Sequence, residues 1–594
     1  MVHDSDRHPD LRQFDVWMDG SVTPEIAEVS EQSSRVLDAF ELSMDADRRA
    51  EFLASGWWRS TTILDDFDEV SRSHPDKTAI VNYRAEIAEP LRLTYADLQN
   101  RVERVADFML LRGIKPGEVI SVQLPNWWEF PVIALATLRV GAVLNPVLPI
   151  HRAREVSFIS NMLRPRMYFF PKSFRSFEYL PMIAEIWPSP SDAPLTVAID
   201  PPGAPSFGKS VGHPLSFEKD VLATPTSGRA GPGTHRERGI DGDLVSDIQF
   251  TSGTTGEPKG VGHVHSTLVA RTRALFDSVD LDQHDVVFMP SPITHSTGLL
   301  YGILAPLTTG MTTVLQDVWD AKVGLDAMRA EKVSWTFIST TFLVDLVRSL
   351  RTAPVALDSL RYVISGGAAI PPTFVTEASD LLDTRIVAAW GMTENGAVSF
   401  TSTAQSPDAA ALSDGVPCSW MSLRVLDADG AVAAVGETGQ LVVRGASQML
   451  GYVHRPRLTD EVVDSNGWFC TGDLARLQPD GSVRITGRIK DLIVRGGENI
   501  PVDEVEKLLY SHPAVLDVAV VPYPDDRLGE RACAVIVSRP ETHLSLSDLT
   551  EHLETFQISK TYWPERLEII ESMPRTASGK IKKFELRRYL ESKT

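Results

Sequence analysis

The sequence predicts an α/β protein: a large N-terminal domain of mixed, mainly parallel sheets carrying helices, then a small α+β C-terminal domain. Three observations predict it. From Thr62 onward, short apolar runs alternate with amphipathic stretches, as in strands joined through helices. Several of these runs end in glycine- and hydroxyl-rich loops, the place where open α/β sheets hold ligands. After Arg484–Arg488 a short unit begins its own helix–strand–strand–helix–strand order.

Taken in order, Ser33 to Phe52 has helical spacing, with Val36, Leu37, Phe40 and Leu42 among acids and arginines. It reads as part of an extension, residues 1–58, lying on the main domain, with Trp57-Trp58 as packing. Ile63 to Ser71 reads as helix and Thr78 to Asn82 as strand. Thr94 to Leu111 is an amphipathic helix stopped by Gly113 and Pro116-Gly117. A strand at Val119–Leu124, a helix at Phe130–Gly141 and a strand at Ala142–Val147 follow. Residues 202–242 are rich in Pro, Gly, Ser and charge, and read as a long loop, a class usually mobile or functional. Beyond it come a helix at Thr267–Val279, a strand at Val286–Met289 and a helix at Leu299–Leu307. Strands are expected at Thr312–Leu315, Trp335–Ile338, Leu360–Ser365 and Ile386–Ala389. The last two run into Gly366-Gly367-Ala368 and Trp390-Gly391-Met392-Thr393-Glu394, read as strand-end loops. In the small unit, Val502–Tyr510 reads as helix, and Val515–Val521 and Cys533–Val537 as strands. Ser547–Phe556 reads as a helix capped by Ser547, and Leu567–Ile570 as a strand.

Composition narrows the function. A chain of 594 residues, 43% apolar and 23% charged, is ordinary for a globular protein of more than one domain. A net charge of −21 supplies no basic field for nucleic acid. The three cysteines show neither metal spacing nor a disulfide framework, which points to a reducing cytoplasm. The longest apolar run, Pro131–Ile150, is interrupted by Arg139, Gly141 and Asn145, so no membrane span is expected.

The chemistry concentrates in Thr251-Ser252-Gly253-Thr254-Thr255-Gly256-Glu257-Pro258-Lys259-Gly260. Three glycines let backbone N–H groups approach an anion, and four hydroxyls and a lysine add donors and charge. That is a polyphosphate loop, against the alternative of a plain surface turn. It is not a Walker A loop: Pro258 stands where the second glycine belongs, and Gly260 follows Lys259. Glu394 is a hard oxygen ligand of the kind Mg2+ takes beside phosphate oxygens. Trp390 offers a flat face, and Asp473 can accept from two adjacent hydroxyls.

The loop resembles the phosphate-loop signature of the adenylate-forming superfamily of acyl- and aryl-CoA synthetases, luciferases and adenylation domains. Trp390–Glu394 resembles that family's aromatic-Gly-x-Thr-Glu motif, and Thr471-Gly472-Asp473 its Thr-Gly-Asp. Gly487–Ile493 with Gly496-Gly497-Glu498-Asn499-Ile500 resembles its hinge, and Pro574–Lys580 its C-terminal lysine loop. The resemblance covers about Thr62 to Lys583. It implies ATP, Mg2+ and coenzyme A as cofactors and co-substrates. It implies Thr251 to Gly256 and Lys259 on the phosphates, and Thr393 and Glu394 near the triphosphate, with Glu394 on the metal. Gly366, Gly367, Ala368, Trp390, Gly391 and Met392 would wall the adenine. Asp473 and Arg488 would hold the ribose, and Lys580 would be the catalytic lysine. Lys490 would be the hinge that swings the small domain, bringing Gly496 and Gly497 to the thiol.

His295 to Gly298 resembles the segment lining the acyl pocket, with Thr340, Thr341 and Phe342 as further candidates; the alternative for His295 is a packed histidine. No Lys or Arg stands out there to pair a second carboxylate. Leu315–Trp319 resembles the medium-chain and cyclohexanecarboxylate CoA ligases. An acid–CoA ligase for an aliphatic or alicyclic acid is therefore expected. The alternatives are loading of an acid onto a free-standing carrier protein and a non-catalytic relative. The expected partition is residues 1–58, 59–488 and 489–594, with a homodimer as the expected assembly.

Overall fold

The computed structural model describes residues 28–593 except 190, 201–213, 252–256, 277, 368–369, 371, 496–497, 526 and 577–579. Within it, helix Glu129–Arg139 is buried at every residue. An apolar stretch with no polar face has no other stable place. Its charged ends are paired, Glu129 with Arg84 and Arg139 with Asp68, so the helix is buried without stranding a charge.

Two large sheets share the core around it. One runs 416–417, 396–400, 385–392, 362–366, 335–339, 286–289, 312–316, 78–83 and 91–94. Its six central strands pair in parallel, and antiparallel strands close both edges. The other runs 451–452, 259–264, 245–251, 143–146, 119–122, 167–171, 195–199 and 215–216. It is parallel except for strands 259–264 and 451–452. A four-stranded antiparallel sheet, 421–426, 438–445, 469–477 and 483–488, follows. The last sheet combines 498–500, 493–495, 529–538, 515–525 and 566–569. The mixed α/β class with mainly parallel large sheets is as the sequence predicts. No helix among the described residues is long and apolar enough to cross a membrane.

Several expectations need correction. Ser33–Phe52 is two helices, Glu31–Ala39 and Ala46–Ala54, because Ser30 and Asp45 each cap a start. Leu42, between them, fills the space a side chain at Gly262 would need, 2.5 Å from its Cβ position. Trp58 donates to Ala446 O at 2.8 Å, and Trp57 packs on Trp420, so both tryptophans pack as expected. The described part of residues 202–242 is not a loose excursion: Phe217, Val221, Ala230 and Ile240 are buried. Gly233 N donates to Asp68 at 2.9 Å and Ser227 to Asp107 at 2.8 Å. The helix after the phosphate loop is His265–Arg273, and Leu299–Leu307 divides into a wide turn, Gly298–Leu304, and a short helix, Ala305–Thr309. In the small unit the helix is Leu546–Thr555, capped by Ser545 rather than Ser547. Asp548 closes the capping box, which Ser547 has no acidic partner three residues on to form. The basic run at Lys582-Lys583 opens a final helix, Lys583–Glu591.

His265 is fully buried, and neither ring nitrogen has a hydrogen-bond partner among the described residues. Burial pushes its pKa down to about 4. The unfolded chain holds a histidine near pH 6.5, so between about pH 6.5 and 4 it binds the proton that the folded protein refuses. Stability therefore falls as the pH drops through that window. His265→Leu is expected to keep the urea midpoint at pH 7 and to make the acid-side decline shallower by up to about 1.4 kcal/mol per pH unit. Urea melts at stepped pH measure it.

Candidate active site

The strand read as ending at Ala389 continues to Met392 and turns back as Gly396–Phe400. A Cβ on Gly391 would lie 2.1 Å from Gly396 O, so only glycine lets the two strands close. Trp390–Met392 are thus strand residues, and Thr393 and Glu394 sit at a hairpin turn rather than in a strand-end loop. The second large sheet holds that turn. His263 Nε2 donates to Thr393 O at 2.9 Å, and Met449 N donates to Glu394 O at 2.7 Å. Tyr452 Oη donates to Glu394 Oε1 at 2.9 Å. Lys259 Nζ lies 4.7 Å from the Tyr452 ring centroid, a cation–π distance. Burial lowers the Lys259 pKa, with Glu394 opposing and Lys490 adding to the shift. Burial also pushes His263 down to about 3, so it stays a neutral donor.

Thr251 faces Lys259 across the hairpin of strands 245–251 and 259–264. Ser252, Gly253, Thr254, Thr255 and Gly256, between them, lie outside the described residues, as do Ala368, Gly496 and Gly497.

Asp473 and Arg488 are direct cross-strand neighbours. Arg488 Nε donates to Asp473 Oδ1 at 2.8 Å, and Trp390 Nε1 donates to Oδ2 at 3.1 Å. The indole edge is therefore turned to the carboxylate, which fixes the ring plane. Each carboxylate oxygen accepts more than one bond, so Asp473 retains capacity for a ligand. Burial raises its pKa, opposed chiefly by Arg488.

The lysine loop is a stapled turn. Thr576 N donates to Lys580 O at 2.7 Å, Lys580 N to Thr576 Oγ1 at 3.0 Å, and Lys582 N to Pro574 O at 2.8 Å. Lys580 Cε comes 3.5 Å from the position of a Cβ on Gly367, whose φ is +84°. Lys580 keeps solvent-accessible surface, yet it lies deep enough that burial lowers its pKa. Arg488 adds to that shift, while Asp473 and Glu394 oppose it. Burial, then the Lys580 charge, push His295 down to about 4. Gly366 lacks a side chain for a local reason: its Cβ would lie 2.6 Å from Ala389 O on the neighbouring strand.

The structure thus gathers Lys259, Gly367, Trp390, Glu394, Asp473, Arg488, Lys580 and His295 into one cleft. Arg488 ends strand 483–488, and the single turn Ile489–Asp491 follows. Arg587 holds that turn by Asp491 at 2.7 Å and by Lys490 O at 3.3 Å. Among the described residues no group of three His, Cys, Asp or Glu side chains forms a metal cage. One carboxylate suits Mg2+, which fills its remaining sites with phosphate oxygens and water.

Sequence reasoning missed His263, Arg575 and Tyr452, which stand 130, 234 and 58 positions from the residues they touch; no spacing rule links them. Arg575 also corrects the expectation of no cation near Thr341. It donates to Thr341 Oγ1 at 3.3 Å, although Asp517 takes its charge in an ion pair. Arg575 therefore ties the small unit to the large one. Arg575→Ala is expected to speed protease cleavage at residues 489–492 while leaving the main thermal transition in place. Timed digestion beside a melting curve tests both.

Known proteins match this chain over most of its length. A family model described as AMP-binding enzyme matches residues 67–453, and one described as AMP-binding enzyme C-terminal domain matches residues 504–580. The chain is 33% identical over 548 residues to a medium-chain fatty-acid–CoA ligase of Escherichia coli strain K12, covering 92% of this chain and 94% of that one. It is 32% identical to a salicylyl-CoA synthase / salicylate adenylyltransferase of a Streptomyces species, covering 92% and 96%. The crystal structure of ATP-bound MatB from Rhodopseudomonas palustris matches with a TM-score of 0.78 at 25% identity, over 89% of this chain and 99% of that one.

Proposed function

Because the chain belongs to the AMP-binding enzyme family, we propose that it joins a medium-chain aliphatic or alicyclic carboxylic acid to coenzyme A in two steps. In the first, a carboxylate oxygen of the acid bonds to the α-phosphorus of ATP and pyrophosphate leaves. In the second, the thiol sulfur bonds to the acyl carbon, AMP leaves, and the thiol proton passes to solvent.

The observation that carries this reading is the approach of Lys580, from the small unit, to Gly367 in the large unit. A fixed ammonium there meets the charge that grows between the α-phosphate and the attacking carboxylate, and favours the transition state over the ground state. Asp473, oriented by Trp390 and Arg488, accepts from the ribose hydroxyls, and the indole face lies along the adenine. Lys259 and the loop before it neutralise the outgoing phosphates. Glu394 is the carboxylate for Mg2+, which supplies charge neutralisation on the triphosphate when bound. His295, neutral beside Lys580, lines the acid's end of the cleft. The name of the Escherichia coli relative supports a medium chain. The Asp517–Arg575 pair also leaves no uncompensated cation at Thr341 to favour a dicarboxylate. For the second step the small unit, residues 489–594, turns about Lys490 and withdraws Lys580.

A panel of acids with ATP and free CoA, scored for AMP and thioester, tests the reading. Acyl-CoA with a medium-chain or alicyclic acid is expected. AMP without any CoA thioester would move the acceptor to a carrier-borne thiol. Lys580→Ala is expected to slow adenylate formation by on the order of 10²–10³, while still converting a synthetic acyl-adenylate to thioester at near the normal rate. Equal loss of both half-reactions in a folded variant would overturn the two-position account.

A further inference from the structure

Tyr452 stands between two charged groups to which the proposed chemistry gives separate tasks. Its hydroxyl donates to Glu394 Oε1 at 2.9 Å, and its ring lies 4.7 Å from the Lys259 ammonium. The backbone brings this about. Tyr452 pairs with Val261 across the edge of the second large sheet. Lys259, two residues before Val261, lies on the same strand face and diagonal to Tyr452, within reach of an aromatic ring. Leu450 N and Val453 N bond to Gly262 O and Gly260 O at 3.0 and 2.8 Å and hold the segment along that strand. Tyr452 is 2% exposed. A phenol so buried needs a partner for its O–H, and Glu394 supplies it. No other side-chain hydrogen bond is described for the Glu394 carboxylate, which leaves it the oxygen capacity that a metal needs.

We propose that Tyr452 is a positioning residue that sets the Glu394 carboxylate for the metal and, through its ring, fixes how far the phosphate-loop lysine stands from that metal. The hydroxyl orients the carboxylate by taking one oxygen. The ring face gives the ammonium a resting place that does not compete for the carboxylate. A direct Lys259–Glu394 ion pair would neutralise the group that the metal needs; the intervening ring prevents it. This inference rests on the assignment of Glu394 to Mg2+.

The test is equilibrium binding of ATP at graded Mg2+, with no acid present, so that no turnover enters the reading. Tyr452→Phe removes one oxygen and keeps the ring. It is expected to raise the Mg2+ concentration at half-saturation by about 10–100-fold, the usual consequence of losing an orienting partner of a metal ligand. ATP binding without metal is expected to stay unchanged. Glu394→Gln is expected to raise the Mg2+ requirement as well, and Tyr452→Phe in that background should add nothing, because the hydroxyl acts through the carboxylate. Additive effects, or a wild-type Mg2+ curve for Tyr452→Phe alone, would overturn the proposal. A wild-type curve for Glu394→Gln would instead overturn the metal assignment beneath it. Should Tyr452→Phe melt early, Lys259→Met with Glu394→Gln asks the same question from either side of the ring. Coupled effects on MgATP binding support the bridge, and strictly additive ones overturn it.

Discussion

The turn at Thr393–Glu394 belongs to one sheet and is held by another. Its hairpin, Arg385–Phe400, lies near the edge of the first large sheet, just inside the short strand 416–417, while every hydrogen bond described to Thr393 O, Glu394 O and Glu394 Oε1 comes from residues on or beside the second. The two sheets cannot slide without breaking those bonds. The donors, on His263, Met449 and Tyr452, are buried, so each loss would strand an unsatisfied donor at about 1–3 kcal/mol. Beneath the turn, Arg271 and Asp247 form an ion pair with side chains 0% and 1% exposed, and the Arg271 stem packs on Gly396. Removing either partner would leave a buried charge uncompensated. The geometry on which the polyphosphate chemistry rests is thus over-determined by the join between the sheets.

The same join explains the N-terminal segment. Arg48 donates to Met449 O at 3.2 Å, and Met449 N in turn donates to Glu394 O. Leu42 covers Gly262 and approaches Gly451, on the two strands that carry Lys259 and Tyr452. Helices Glu31–Ala39 and Ala46–Ala54 therefore act as a brace on the outer side of the site. They add apolar burial and fix a loop that has no regular structure of its own.

The small unit reaches the cleft through long cationic side chains. Lys580 reaches Gly367, and Arg575 reaches Thr341. Each of the two units has its own apolar clusters. A junction built from hydrogen bonds and half-exposed charges, rather than from shared core, is the kind that can open and re-form at small cost.

Much was legible in the sequence because it is local. Strand and helix positions followed from periodicity. Glu394, Asp473 and Lys580 stand out because their motifs are contiguous. Local reading fails at one cap: Ser547 reads as the N-cap, whereas Ser545, with Asp548 three residues on, is the residue that caps the helix. The strand through Met392 reads as ending at Ala389, because glycine reads as a break until its partner strand is known. What only the tertiary structure decided is which distant groups share one space. Tyr452 under Lys259, His263 on Thr393 and Arg575 across to Thr341 arise from sheet pairing and from the docking of one unit on another. Hydrogen bonds and ion pairs act over a few ångströms, whereas the residues that make them here are separated by tens to hundreds of positions, and no period in the chain encodes that.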